Sequence, residues 1–131
     1  MRIPIGLGVA AVVLLLAGAA RADTIPGDVE LGAGLYDRCL ACHSPARNRT
    51  GPKHCGVMDR TAGTLAGYRY SESMRESGIV WTAETLDAFL EAPRKFMPGT
   101  KMTYAGVPDP TDRVDLIAYL ATLREDAEAC R

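Results

Sequence analysis

Two thiols and an imidazole stand within five residues, Cys39-Leu40-Ala41-Cys42-His43. A Cys-x-x-Cys-His run is the pattern that attaches a c-type haem. The spacing of the cysteines matches the distance between the two haem vinyl groups, so each thiol can add across one vinyl to form a thioether. His43 is then held under the iron as its proximal ligand. A redox dithiol needs no histidine, and no βαβ pattern surrounds this pair. A zinc site would need two further ligands. Only Cys55, Cys130 and His54 remain to supply them, and not at paired spacing. Haem attachment is the chemistry this motif predicts.

A haem iron has a second axial position, for which a thioether is one ligand. Outside the N-terminal stretch the methionines are Met58, Met74, Met97 and Met102. A ligand for the far haem face must come from a loop able to cross it. Pro98-Gly99 opens such a loop, and Gly106 and Pro108 close it. Met102 lies within it and Met97 beside it, so the residue pattern leaves both open. Most methionines are core filler.

These groups need elements to carry them. No segment alternates apolar and polar residues with period two, so the chain reads as all-α with long loops. Pro26-Gly27-Asp28 marks a helix start with Asp28 as N-cap. Leu31, Leu35 and Tyr36 form an apolar stripe that runs into Cys39. Gly32 and Gly34 each cost roughly 1 kcal/mol against Ala in a helix interior, so each needs a packing reason. Gly32, one turn before Tyr36, would let a second helix come close. The expected partner is a C-terminal helix from Pro110 to about Glu125. Its Val114, Ile117, Ala118 and Ala121 recur at i, i+3, i+4 and i+7, with Leu120 beside them. Ser71 caps a brief helix over Glu72 to Arg75. Thr82 caps a clearer one from Ala83 to Glu91, with Leu86, Phe89 and Leu90 inward and Pro93 just past its end. Residues 44–70 and 98–108 are rich in Gly and Pro, and irregular stretches this long in a small domain wrap something or perform a function. A haem fills that role.

Residues 1–22 read as an export signal: Arg2, an apolar run from Ile5 to Ala20, then Ala20-Arg21-Ala22 as the cleavage signature. Cleavage after Ala22 leaves residues 23–131 as one small domain with a modest core. The alternative is an uncleaved membrane anchor, for which the stretch is short. Losing Arg2 and Arg21 makes the charge two units more negative than the −1 of the whole chain. Placement says more than the total. Arg47, Arg49 and Lys53 follow the haem motif, and Arg94, Lys95 and Lys101 flank the methionine loop. Asp109, Asp112, Asp115, Glu125, Asp126 and Glu128 crowd the C-terminal end. Such a dipole can turn its basic side to an acidic partner; the plainer reading is a solvated surface.

Longer runs carry a resemblance. Gly27-Asp28-Val29-Glu30, Thr50-Gly51-Pro52, Gly78-Ile79-Val80-Trp81, Pro98-Gly99-Thr100-Lys101-Met102, Tyr104-Ala105-Gly106 and Leu116-Ile117-Ala118-Tyr119-Leu120 follow one another without long gaps. Over nearly all of residues 23–131 the chain resembles class I cytochrome c, the mitochondrial protein and its soluble bacterial relatives. The resemblance implies an all-α fold around one covalent haem c, with His43 and Met102 as axial ligands. It thereby favours Met102 over Met97. It also implies that the Pro52 carbonyl accepts a hydrogen bond from His43 Nδ1–H, and that Arg60, Tyr70, Trp81 and Thr100 lie by a haem propionate. In this family haem is attached on the outer side of bacterial energy-transducing membranes, so a periplasmic location follows. That compartment permits disulfides.

The chain departs from the family in three places. Phe89 stands where many relatives carry a tyrosine whose hydroxyl contacts the ligating sulfur. An altered potential and a Met102–iron bond supported mainly by packing are the consequence. Cys55 replaces a family histidine, and Cys130 lies in a C-terminal extension. With Cys39 and Cys42 taken by haem, Cys55 and Cys130 are expected to pair, the alternatives being free thiols or intermolecular pairing. His54 falls where the family usually has a leucine against the haem. It reads as merely a local shift, the other readings being a displaced copy of the missing histidine and an alternative iron ligand under stress.

Soft thioether sulfur favours Fe(II), and two filled axial positions leave no open site for O₂ or peroxide. The expected function is therefore a monomeric periplasmic one-electron carrier, not an enzyme. Its expected partners are a cytochrome bc complex and a terminal oxidase or photosynthetic reaction centre, docking near Arg94, Lys95 and Lys101, with no nucleic-acid role. The alternative is a peroxidase-like haem enzyme, or the dedicated electron acceptor of a periplasmic dehydrogenase.

Overall fold

Asp28 starts the first helix through its own side chain, accepting hydrogen bonds from the N–H groups of Glu30 (2.9 Å) and Leu31 (3.0 Å). In the computed structural model, which describes residues 24–131, this helix is α1, Val29–Tyr36. The export signal and its cleavage point lie outside the described residues. Four more helices follow: α2 (Glu72–Glu76), α3 (Ala83–Glu91), α4 (Pro93–Phe96) and α5 (Pro110–Thr122). A 3-10 turn over Glu128–Cys130 ends the chain. The β pairing among the described residues is a single antiparallel bridge, Thr61 with Val80. The architecture is all-α.

Two helices form the frame. α1 crosses α5 so closely that a Cβ on Gly32 would overlap the Asp115 carbonyl. This close approach fixes which residues face in. Successive helix residues point about 100° apart, so with Gly32 at the contact, Leu31 turns outward and is 61% exposed. Leu31 is therefore not part of a buried stripe; Gly32 and Tyr36 are. Gly34 is exposed with open space around it, and nothing in the structure explains it. Asp115 also accepts from the Asp28 N–H (2.7 Å), pinning the start of α1 to the middle of α5.

α5 stops at Thr122, short of Glu125, and its inner face keeps Ile117, Ala118 and Leu120 as expected but runs through Leu116 to Arg113 instead of to Val114. Arg113, Leu116, Ile117 and Leu120 are buried, whereas Val114 is exposed. The physical reason is Arg113. Its apolar stem follows the core side of the helix, and its guanidinium finds buried acceptors, so a side chain counted as polar hid the N-terminal end of the face. Nε donates to Asp87 Oδ1 (2.7 Å) of α3, and Nη1 to the carbonyls of Val107 and Pro108 (2.9 Å each).

α3 begins in a capping box between Thr82 and Thr85 and buries Leu86, Phe89 and Leu90. Pro93 does more than end it. With no N–H to satisfy, it occupies the first turn of α4. α4 delivers the chain to Met97 and the loop beyond.

Candidate haem site

After Tyr36 the chain keeps turning. Cys39 N–H donates to Tyr36 O (2.8 Å), and the N–H groups of Cys42 and His43 both donate to Cys39 O (3.1 and 2.8 Å). This turn brings Cys39, Cys42 and His43 to one cavity. The following loop folds back on it: Gly51 N–H donates to Cys42 O (2.8 Å), and Arg49 Nη1 to Leu40 O (2.7 Å). Cys39 and Cys42 keep free thiols. Burial pushes the Cys39 thiol up to about 11, so it stays protonated.

His43 is buried, and its Nδ1 lies 2.8 Å from the Pro52 carbonyl oxygen. A carbonyl only accepts, so Nδ1 carries the proton and Nε2 keeps its lone pair. Burial lowers the pKa of His43, against the pull of this hydrogen bond. Burial outweighs that pull and favours the neutral imidazole, while the bond to Pro52 keeps its one proton on Nδ1 and leaves Nε2 free, the form that binds a metal. Gly51 crowds the same ring: a Cβ there would overlap it.

The other walls of the cavity are apolar, with Leu86, Phe89 and Leu90 from α3, Leu116 and Leu120 from α5, and Val57 and Trp81 from the loops. Thr100 to Tyr104 cross it, and Met102 is among the lining residues. Met97 instead sits in the core at 5% exposure. Val107 N–H to Leu90 O (2.8 Å) and the two Arg113 bonds fasten the exit of this loop.

Arg60, Tyr70, Trp81 and Thr100 also line the cavity. Arg60 donates to the carbonyls of Cys55 (3.1 Å) and Lys53 (3.3 Å), and Thr100 Oγ1 accepts from Met102 N–H (3.3 Å). Burial lowers the pKa of Arg60 and raises that of Tyr70. Arg94 and Lys95 are exposed on α4; Lys101, also exposed, donates to Arg69 O (2.8 Å).

The set fits a haem: two free thiols, a histidine with a free nitrogen, a thioether on a crossing loop, apolar walls and a small polar cluster for the carboxylates. When bound, the group supplies one-electron iron chemistry.

Three features were not read from the sequence. Cys55 and Cys130 are joined by a disulfide, Cα atoms 5.8 Å apart; its pairing was expected, but not the clamp around it. Lys53 Nζ reaches both Glu125 oxygens (3.1 Å), and Gly56 N–H donates to Leu123 O (2.7 Å). Arg113 was invisible because two of its three partners are backbone carbonyls, which leave no trace in a sequence, and the third, Asp87, lies on another helix. His54 shares a hydrogen bond with the Tyr36 hydroxyl (2.9 Å) and stacks on His43, centroids 4.1 Å apart at 23°. Burial above all, and then the nearby Arg60 guanidinium, lowers the His54 pKa well below the ordinary imidazole value.

Comparison with known proteins agrees with this architecture. The family model for cytochrome c matches residues 29–124. The chain is 47% identical to a cytochrome c of Euglena viridis over 102 residues, which are 76% of this chain and all of that protein. It is 48% identical to cytochrome c2 of Rhodopila globiformis, covering 76% of this chain and 96% of that one. The solved structure of cytochrome cH from Methylobacterium extorquens superposes with a TM-score of 0.72 at 39% identity, covering 73% of this chain and 99% of that chain. With a haem-attachment turn, a cavity to match it and relatives this similar, the chain belongs to the class I cytochrome c family, whose members carry one covalently attached haem.

Proposed function

We propose that this electron carrier uses His43 and Met102 as its axial ligands and works in the periplasm. Haem is bound through thioethers to Cys39 and Cys42. The observation that carries the reading is the 2.8 Å contact from His43 Nδ1 to Pro52 O, which reserves Nε2 for iron. Support for Met102 comes from its place on the cavity wall, while Met97 is enclosed in the core. A closed six-coordinate iron transfers electrons without binding oxygen or peroxide. Arg60, Tyr70, Trp81 and Thr100 form the polar end of the site and would receive a propionate.

The periplasmic reading is supported by the export signal in residues 1–22. Among the described residues no helix is long and apolar enough to cross a membrane. Arg94, Lys95 and Lys101 form the docking face for an acidic redox complex, a cytochrome bc complex as donor and an oxidase or reaction centre as acceptor. Docking of this kind is weak and weakens further with salt.

Spectroelectrochemical titration of the holoprotein tests the ligand set. The expected result is a single one-electron wave together with a near-infrared sulfur-to-iron band. That band disappears in Met102→Ala and survives in Met97→Leu. Survival of the band in Met102→Ala would overturn the assignment.

A further inference from the structure

We propose that His54 is a positioning residue for His43: its ring, stacked on the proximal imidazole and held by the Tyr36 hydroxyl, fixes the orientation of the ligand and places a dipole beside the iron. This rests on the reading of His43 as the iron ligand.

Three observations converge. The two rings lie 4.1 Å apart at 23°, so His43 cannot rotate about its bond to iron without displacing His54. His54 is itself restrained, because its Nδ1 and the Tyr36 Oη share a hydrogen bond of 2.9 Å. Its backbone is clamped on either side: Lys53 pairs with Glu125, Cys55 is bridged to Cys130, and Gly56 bonds to Leu123. His54 N–H also donates to Pro45 O (3.2 Å), in the loop that leaves the haem motif. His43 is therefore gripped from two directions, by Pro52 at Nδ1 and by His54 across its face.

A polar ring here is costly unless it is used. A leucine would fill the space with no hydrogen bond to satisfy, whereas an imidazole beside the ligand needs the Tyr36 hydroxyl as partner. What the imidazole adds is a fixed dipole near the metal. Oxidised iron carries one more positive charge than reduced iron, and polar surroundings stabilise the more charged state. His54 accordingly holds the potential below the value an apolar residue would give.

The test uses the purified holoprotein and the variants His54→Leu and Tyr36→Phe. The readouts are reduction potential and the hyperfine-shifted proton resonances of the His43 ring in the oxidised state. His54→Leu is expected to shift the redox equilibrium three- to tenfold toward the reduced form, roughly 30–59 mV at 59 mV per tenfold for one electron. It also moves the His43 resonances while the sulfur-to-iron band persists. Tyr36→Phe moves both in the same direction by less, and supplies the reading if His54→Leu does not fold. Unchanged potential and resonances in the variants overturn the proposal with His43 still the ligand. A wild-type spectrum without histidine ligation overturns the underlying assignment and this proposal with it.

Discussion

Gly51 owes its identity to His43. Any side chain at that position would enter the imidazole ring, so the absence of a Cβ is part of the metal site. Gly51→Ala is expected to push His43 out of line with Pro52 and to cost about 1–3 kcal/mol, as overpacking of a filled site does. Denaturant unfolding gives the stability, and loss of the low-spin spectrum reports the ligand. At this scale the sequence was most informative where chemistry is covalent or geometric: Cys39, Cys42 and His43 announce themselves by spacing. It was least informative where one side chain meets another across the fold. His54 could be seen as misplaced, but its stack on His43 and its bond to Tyr36 exist only in three dimensions.

Elements were legible to the extent that local signals govern them. Asp28, Ser71, Thr82 and Asp109 each accept backbone N–H groups at a helix start, and the first three are plain from residue type. The face of α5 was legible at Ile117, Ala118 and Leu120 but not at its start, where Arg113 serves as a core residue by its stem and as an anchor by its head. Arg113→Met leaves the Val107 and Pro108 carbonyls without their donor. A loss of roughly 2–4 kcal/mol is expected, measured by denaturant unfolding, and the methionine loop should become the first segment to exchange its amide hydrogens. Full protection of that loop would contradict the anchoring role. The C-terminal tail is held by the bridge across a sequence separation of 75 residues. Cys130→Ser should cost roughly 2–4 kcal/mol, read from the unfolding midpoint under non-reducing conditions, and added thiol should lower the wild type to the same level.

The whole molecule is built around a space that its own side chains do not fill. α3 and α5 turn leucines and aromatics toward a cavity, and a small domain has little other apolar surface to bury. A Cys39→Ala/Cys42→Ala chain, which cannot attach haem, is therefore expected to lose most of its helical circular dichroism and to be cut readily by protease. Retention of native helicity would show that the frame stands alone. The long irregular stretches made sense in the sequence only as wrapping for a guest, and they do line the cavity. Their courses were not predictable, because loop paths follow the surface they cover and no local rule sets them.

The bridge between Cys55 and Cys130 implies an order of assembly. Four cysteines can pair fully in three ways, and every one of these consumes both attachment thiols. If cavity walls close only around haem, the folded contacts that bring Cys130 to Cys55 arise after Cys39 and Cys42 have been consumed. By then a single partner choice remains. Covalent attachment thus removes the mispairings before oxidation can make them, and the cell need only keep the two motif thiols reduced until the cofactor arrives.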